Sequence, residues 1–245
     1  MTVNAIIQAR CGSTRFPNKV FADIDGKPLL WHVVNRLALA KTINKIIIAT
    51  TTNAKDDLIE KWCNENDVAC FRGSEEDVLN RYYSASVAFP SDIVVRITAD
   101  DPFKEPSVID AVVNKLINEG FDHVTNNFPP TWPEGLDCEA FKFSALEISE
   151  KTTHNKFERE HVTQYIYHNP DKFKIGNVAS ETNLSHLRWT IDKEADYEMV
   201  KIIYAKRNPK NTGILLMDEI LDILKNNPEI TEINSSVERS AMFKK

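Results

Sequence analysis

Short apolar runs alternate with helix-spaced apolar positions through the first half of the chain. Residues 3–9, 45–50, 68–71, 92–98 and 121–125 are compact apolar stretches that predict buried strands. Between them, Leu29, Leu30, Val33, Val34 and Leu37 keep the spacing of one helix face, as do Leu58, Ile59, Trp62 and Cys63. Val78, Leu79, Tyr82, Tyr83 and Val87 form a third such stripe. A fourth runs from Val108 through Val112 to Ile117, opened by Pro106 and closed by Gly120. Strands alternating with helices predict βαβ units, and so an α/β fold around a mostly parallel sheet.

After Asn126 the rhythm changes. "NNFPPTWPEGLD" concentrates prolines and reads as an irregular connection. A strand is expected near 138–143, then helices near 144–151 and 158–168. A further strand ends in "LRWTID", a helix starts near Glu194, and an amphipathic helix spans 216–225. No repeat or clean linker divides the chain, so 1–245 reads as one domain, with 127–180 as a lid, dimerisation or acceptor-binding elaboration.

The 245 residues suit one large α/β domain, and 42% hydrophobic content supplies a full core. A net charge of −6 argues against nonspecific binding to nucleic acid or anionic membranes. Cys11, Cys63, Cys70 and Cys138 lack paired metal-ligand spacing, and the six histidines form no zinc-like cluster. The opening "MTVNAII" lacks the regions of a signal peptide, and no apolar run is long enough to span a bilayer, so a reduced, cytoplasmic protein is expected.

Candidate chemistry begins where the first strand ends. In a parallel sheet, ligands collect at the carboxyl ends of the strands. "ARCGSTRFPNK" places Arg10, Arg15 and Lys19 on that rim with the hydroxyls of Ser13 and Thr14, and Gly12 lets backbone approach an anion. The stretch is neither a Walker A loop nor a dinucleotide fingerprint. A solvated basic loop paired with the protein's own acids explains it equally well. "VVRITADDPF" then puts Asp100 and Asp101 on the same rim, and "LRWTIDKEAD" adds Asp192 with Asp196 one helical turn later. Mg²⁺ takes only one or two carboxylates and fills its shell with water and phosphate oxygens, which suits Asp100 and Asp192. Asp101 before Pro102 also fits a turn, and Asp196 a helix start. Cys11 has no neighbouring base in sequence and reads as a loop residue.

Six segments together resemble the cytidylyltransferase family that includes CMP-sugar synthetases, nearest the spore-coat polysaccharide biosynthesis protein F branch. They are "IIQARCGSTRFPNKVF…GKPLL", "FRGSEEDVLNRYYSA", "DIVVRITADDP", "GLDCEAF", "REHVTQYI" and "LRWTIDKEADYEMV", in the family's order. The resemblance implies a three-layer fold of the sugar-nucleotidyltransferase type, Rossmann-like and GT-A-like. It implies transfer of CMP from CTP to a sugar or sugar-acid acceptor, with pyrophosphate leaving, for surface polysaccharide or glycoconjugate synthesis. Ala9, Arg10, Gly12, Ser13, Arg15 and Lys19 would then contact the triphosphate, with Arg10 and Lys19 stabilising charge in the reaction. Arg72, Gly73 and Ser74 would lie near base and ribose, and Asp100 and Asp192 would hold Mg²⁺. For the acceptor, Asp101, Glu134, Asp137, Glu139, Arg159 and His161 are the candidates, although Arg159 with Glu160 also suits a fold-stabilising pair. A homodimer follows by family analogy. Two rivals remain: a metal-dependent nucleotide-sugar glycosyltransferase, for which an adjacent Asp100–Asp101 pair is the wrong spacing, and a noncatalytic sugar-nucleotide-binding subunit.

Overall fold

Ala5 and Ile7 of strand β1 (Val3–Gln8) pack on one side of a sheet and Ile6 on the other, all fully buried. Burial on both faces explains why this strand is an almost unbroken apolar run. The computed structural model describes residues 1–12, 16–208, 210 and 213–237, so the expectations placed on Ser13 and Arg15 lie outside the described residues.

After β1 come β2 (Asp23–Ile24), β3 (Lys27–Pro28), α1 (Leu29–Leu37), β4 (Lys45–Thr51), α2 (Asp57–Glu65), β5 (Ala69–Gly73), α3 (Val78–Ala88) and β6 (Ile93–Thr98). The second half holds α4 (Pro106–Glu119), β7 (His123–Thr125), β8 (Glu139–Lys142), α5 (Phe143–Thr152), α6 (Lys156–Glu160), α7 (Gln164–His168) and β9 (Ile175–Asn177). Helices α8 (Glu194–Ala205) and α9 (Met217–Asn226) follow. Seven strands form one sheet in the order β5-β4-β1-β6-β8-β7-β9. Its first four strands are mutually parallel, and β8 runs antiparallel to both β6 and β7.

Two apolar clusters cover the two faces. Side chains from α1, α2, α4, α8 and α9 join Ala5, Ile7, Ile48, Val95 and Ile97 on one face. Those from α3, α5 and α7 join Ile6, Ile47, Ala49 and Val94 on the other. The result is the expected three-layer α/β arrangement. Each fully buried Ile, Leu or Val contributes about 1.5–3 kcal/mol relative to exposure.

Two expectations are corrected. The single helix expected over 158–168 is broken into α6 and α7, because Val162 sits at φ 55, a left-handed conformation no helix accommodates. The strand expected to end in "LRWTID" is extended chain outside the sheet ladder, tied by an isolated bridge between Arg188 and Glu134. Within 127–180, β8 and β9 pair into the sheet, and α5, α6 and α7 lie between them.

Candidate active site

Lys19 reaches the carboxyl edge of the sheet because the loop before it is closed locally. The Cys11 amide donates to Asp56 Oδ1 at 2.7 Å, and the Asn18 amide donates to the Cys11 carbonyl at 3.1 Å. Asn18 adopts a left-handed conformation, φ 56, which asparagine tolerates better than most residues, and a 3-10 turn begins at Lys19. From there the Lys19 ammonium donates to Asp100 Oδ2 at 2.8 Å, Asp192 Oδ1 at 3.1 Å and the Ile191 carbonyl at 3.0 Å. Burial works against this ammonium, but Asp100 and then Asp192 outweigh it and hold its pKa above the usual value. Burial likewise opposes ionisation of Asp100, and Lys19 overcomes it, leaving that carboxyl at about 2.

Asp100 and Asp101, adjacent in sequence, serve different cations. Asp101 accepts from Thr98 Oγ1 at 2.8 Å and pairs at 2.8 Å with Lys104, which is itself buried. Lys104 also donates to the Asp137 carbonyl. Burial lifts the Asp101 carboxyl to about 6 despite Lys104, with Asp100 adding to the rise. Its chief partners are therefore structural, and it still borders the larger cavity described below.

Asp192 is oriented from behind. The fully buried Asp196 carboxylate accepts the Asp192 and Lys193 amides at 3.0 Å each, Arg188 Nε at 2.9 Å and Asn234 Nδ2 at 3.0 Å. Asp196, in the first turn of α8, thus caps that helix and braces Asp192, with its oxygens committed inside the protein. Arg188 extends the bracket to Asp192 Oδ2 at 3.3 Å and to Glu134 at 2.8 Å. Gly135 makes the approach possible: at φ 104, a Cβ there would lie 2.8 Å from both Trp189 C and Thr190 N.

Two cavities meet at this pair. One, about 240 Å³, is lined by Gln8, Ala9, Arg10, Gly12, Lys19 and Thr98 together with Asp100 and Asp192. The other, about 510 Å³, shares Thr98, Asp100 and Asp192 and extends past Asp137, Glu139 and Tyr167. Glu134 and Asp101 also border the larger one. Glu139 is less available than its sequence suggests. Its oxygens take Arg96 at 2.5 Å, His123 at 3.1 Å, Thr163 at 2.9 Å and Tyr167 at 3.1 Å, so it ties the cavity wall together.

The other expected residues scatter. Arg10 lines the smaller cavity half-exposed, 3.4 Å from Glu75. Among the described residues nothing demands glycine at position 12, where a Cβ would meet Glu75 Oε1 at an ordinary 3.6 Å. Arg72 is engaged by Asp57 at 2.7 Å and Glu60 at 2.9 Å, and Gly73 lets Arg81 pass close by. Ser74 accepts the Asp77 amide at the start of α3. Arg159 is clamped by Asp77 at 2.7 Å and Glu150 at 2.8 Å, and His161 packs on Phe157. Neither Arg159 nor His161 lines the two cavities. The Cys11 thiol is buried and pushed up to about 12, first by burial and then by Asp56, which suits the structural reading.

Arg188, Arg96, Lys104 and Tyr167 were not singled out from sequence. The available signal was charge placed where burial is expected: Arg96 inside an apolar strand and Arg188 beside a buried tryptophan.

Among the described residues, no group of three or more His, Cys, Asp or Glu is placed to hold a metal, and no helix is long and apolar enough to cross a membrane. Mg²⁺ does not need three protein ligands. Asp100 and Asp192 each turn one oxygen toward the same cation, so the pair fits such an ion.

This sheet order brings two acids and a lysine-bearing loop together at the carboxyl edge of an α/β sheet. A family model described as Cytidylyltransferase matches residues 4–235. The chain is 38% identical over 244 residues to an uncharacterized protein, MJ1063, of Methanocaldococcus jannaschii, covering 98% of each. It is 30% identical to the spore coat polysaccharide biosynthesis protein SpsF of Bacillus subtilis, over 91% of this chain and 94% of that one. A solved cytidylyltransferase from Leptospira borgpetersenii matches with a TM-score of 0.88 at 33% identity, over 98% of this chain and 100% of the other. The chain belongs to the cytidylyltransferase family.

Proposed function

We propose that this enzyme transfers CMP from CTP to a hydroxyl of a sugar or sugar-acid acceptor, dependent on Mg²⁺ and as a cytoplasmic homodimer. The observation that carries the reading is Lys19 bridging Asp100 and Asp192 where the two cavities join. The smaller cavity suits the triphosphate, since Arg10, Lys19 and backbone at Gly12 border it, and the larger suits a polyhydroxylated acceptor.

In the reaction, an acceptor oxygen forms a bond to the α-phosphorus while the bond to the β-phosphate bridging oxygen breaks. Pyrophosphate leaves with that electron pair, and the hydroxyl proton passes to solvent through the open cleft. Lys19 and Arg10 hold charge on the α-phosphate and on the departing diphosphate. Arg188 and Asp196 keep Asp192 aimed, and Asp100 is aimed by the end of β6. Held by Asp100 and Asp192, Mg²⁺ would neutralise phosphate charge and acidify the attacking hydroxyl. A metal-dependent glycosyltransferase gains no support from Asp100 and Asp101, which turn to separate lysines.

The test is a pyrophosphate-release screen pairing each nucleoside triphosphate with acidic, amino and phosphorylated sugars. Release that needs CTP, Mg²⁺ and one acceptor class supports the proposal. Release independent of any acceptor, or none with any pair, overturns it.

A further inference from the structure

Lys19 is fully committed. An ammonium has three donors, and Asp100, Asp192 and the Ile191 carbonyl engage all three at 2.8, 3.1 and 3.0 Å. The two carboxylate oxygens it holds are the same two that would grip a divalent ion. A hard cation needs oxygens at about 2.0–2.1 Å, and an ammonium in the same notch both crowds and repels it.

We infer that Lys19 is an exchangeable internal cation that closes the metal site of the ligand-free protein. Binding of a polyphosphate at the neighbouring loop draws the ammonium out, and a divalent ion takes its place between Asp100 and Asp192. The identity of that polyphosphate rests on the nucleotidyltransferase reading, whereas the exclusion of metal by Lys19 does not.

Three observations favour exchange over a fixed salt bridge. Lys19 borders the cavity lined by Arg10 and Gly12, so its flexible stem can swing toward that space and the Arg10 guanidinium side of it. Among the described residues Asp100 has no other cationic partner, so once Lys19 leaves, that carboxylate needs a new positive charge. Asp192, by contrast, keeps Arg188 and is held in place during the exchange. Because Lys19 and the metal compete for one pair of oxygens, a polyphosphate that draws Lys19 away promotes metal binding, and metal promotes polyphosphate binding by the same factor.

The experiment is a Mn²⁺ titration without nucleotide, read from the electron paramagnetic resonance of free Mn²⁺. Lys19→Met should bind one Mn²⁺ at least about tenfold more tightly than wild type, within the range of typical couplings. Adding Asp100→Asn to that variant should remove the gain. Circular dichroism verifies folding, and Lys19→Gln replaces Lys19→Met if the latter does not fold. Equal Mn²⁺ affinity in wild type and the Lys19 variant, or a gain that survives Asp100→Asn, overturns the inference. Pyrophosphate release by wild type is read in parallel. Equal affinities with turnover intact remove the exchange and leave the transferase. A tenfold gain without turnover on any nucleotide does the opposite.

Discussion

Asp196, fully buried, accepts two hydrogen bonds from the nearly buried Arg188, from Nε at 2.9 Å and Nη2 at 3.2 Å. Arg188 in turn touches Asp192 and Glu134, so one buried ion pair sets the position of two acids at the cleft. Removing one partner of a buried pair strands the other charge. Asp196→Ala is therefore expected to lower unfolding stability by about 3–5 kcal/mol, read as a fall in the urea midpoint. Asp196→Asn, which keeps the shape and weakens the pairing, should raise the Mg²⁺ concentration needed for half-maximal activity. A variant with unchanged midpoint and unchanged metal titration would show that this bracket does not position Asp192.

Lys19→Ala removes the cation that holds Asp100 and Asp192 together. The lysine is largely buried and its loss strands the Asp100 charge, so the urea midpoint should fall, and turnover is compared at a temperature where circular dichroism shows the variant folded. Turnover should fall by about 10²–10³, the usual result of removing one preorganised charge from developing phosphate charge. Wild-type kcat at saturating CTP and acceptor would remove Lys19 from the reaction.

Much of this site was legible in the sequence because the cues were local. The end of an apolar strand fixes where the following residues emerge, so residues 9–12, Lys19 and Asp100 were placed on one rim by strand endings alone. Asp192 was located by the same reasoning, although the extended "LRWTID" segment does not join the ladder. What was not legible depended on partners distant in sequence. Arg72, Arg159 and Glu139 look alike in sequence to ligand-binding charges, yet each is engaged by acids or bases up to 82 residues away. The break at Val162 was hidden for another reason: a β-branched residue at positive φ is the opposite of what propensity predicts.

Glu139 offers a pH test with a definite sign. Burial opposes its ionisation, but Arg96 first and His123 next hold its carboxyl below the usual range. A depressed carboxyl pKa contributes stability that is present above the unfolded value, about 4.3, and is lost as pH falls through the lower folded value. Glu139→Gln should therefore be less stable than wild type by about 3 kcal/mol near pH 7. That gap should shrink steadily below about pH 4, read from urea midpoints across the acid range. A gap that does not change with pH would mean Glu139 is not ionised in the fold.

Gly135→Ala probes the close approach that brings Glu134 beside Arg188. The added methyl would meet the backbone of Trp189 and Thr190 at 2.8 Å, in a left-handed conformation as well. A loss of roughly 1–3 kcal/mol in stability is expected, with lower kcat because the chain leading to Asp192 must shift. Wild-type kcat and midpoint in this variant would show that the approach can relax freely.

The most direct measurement follows the α-phosphate. CTP labelled at that position is incubated with the acceptor class that supports pyrophosphate release, and the products are separated by anion exchange. The label should pass to the acceptor as a cytidine monophosphate conjugate, at a rate that Lys19→Ala reduces at least about a hundredfold. Label that stays in CTP, or emerges as cytidine diphosphate, would contradict nucleotidyl transfer between Lys19 and the two aspartates.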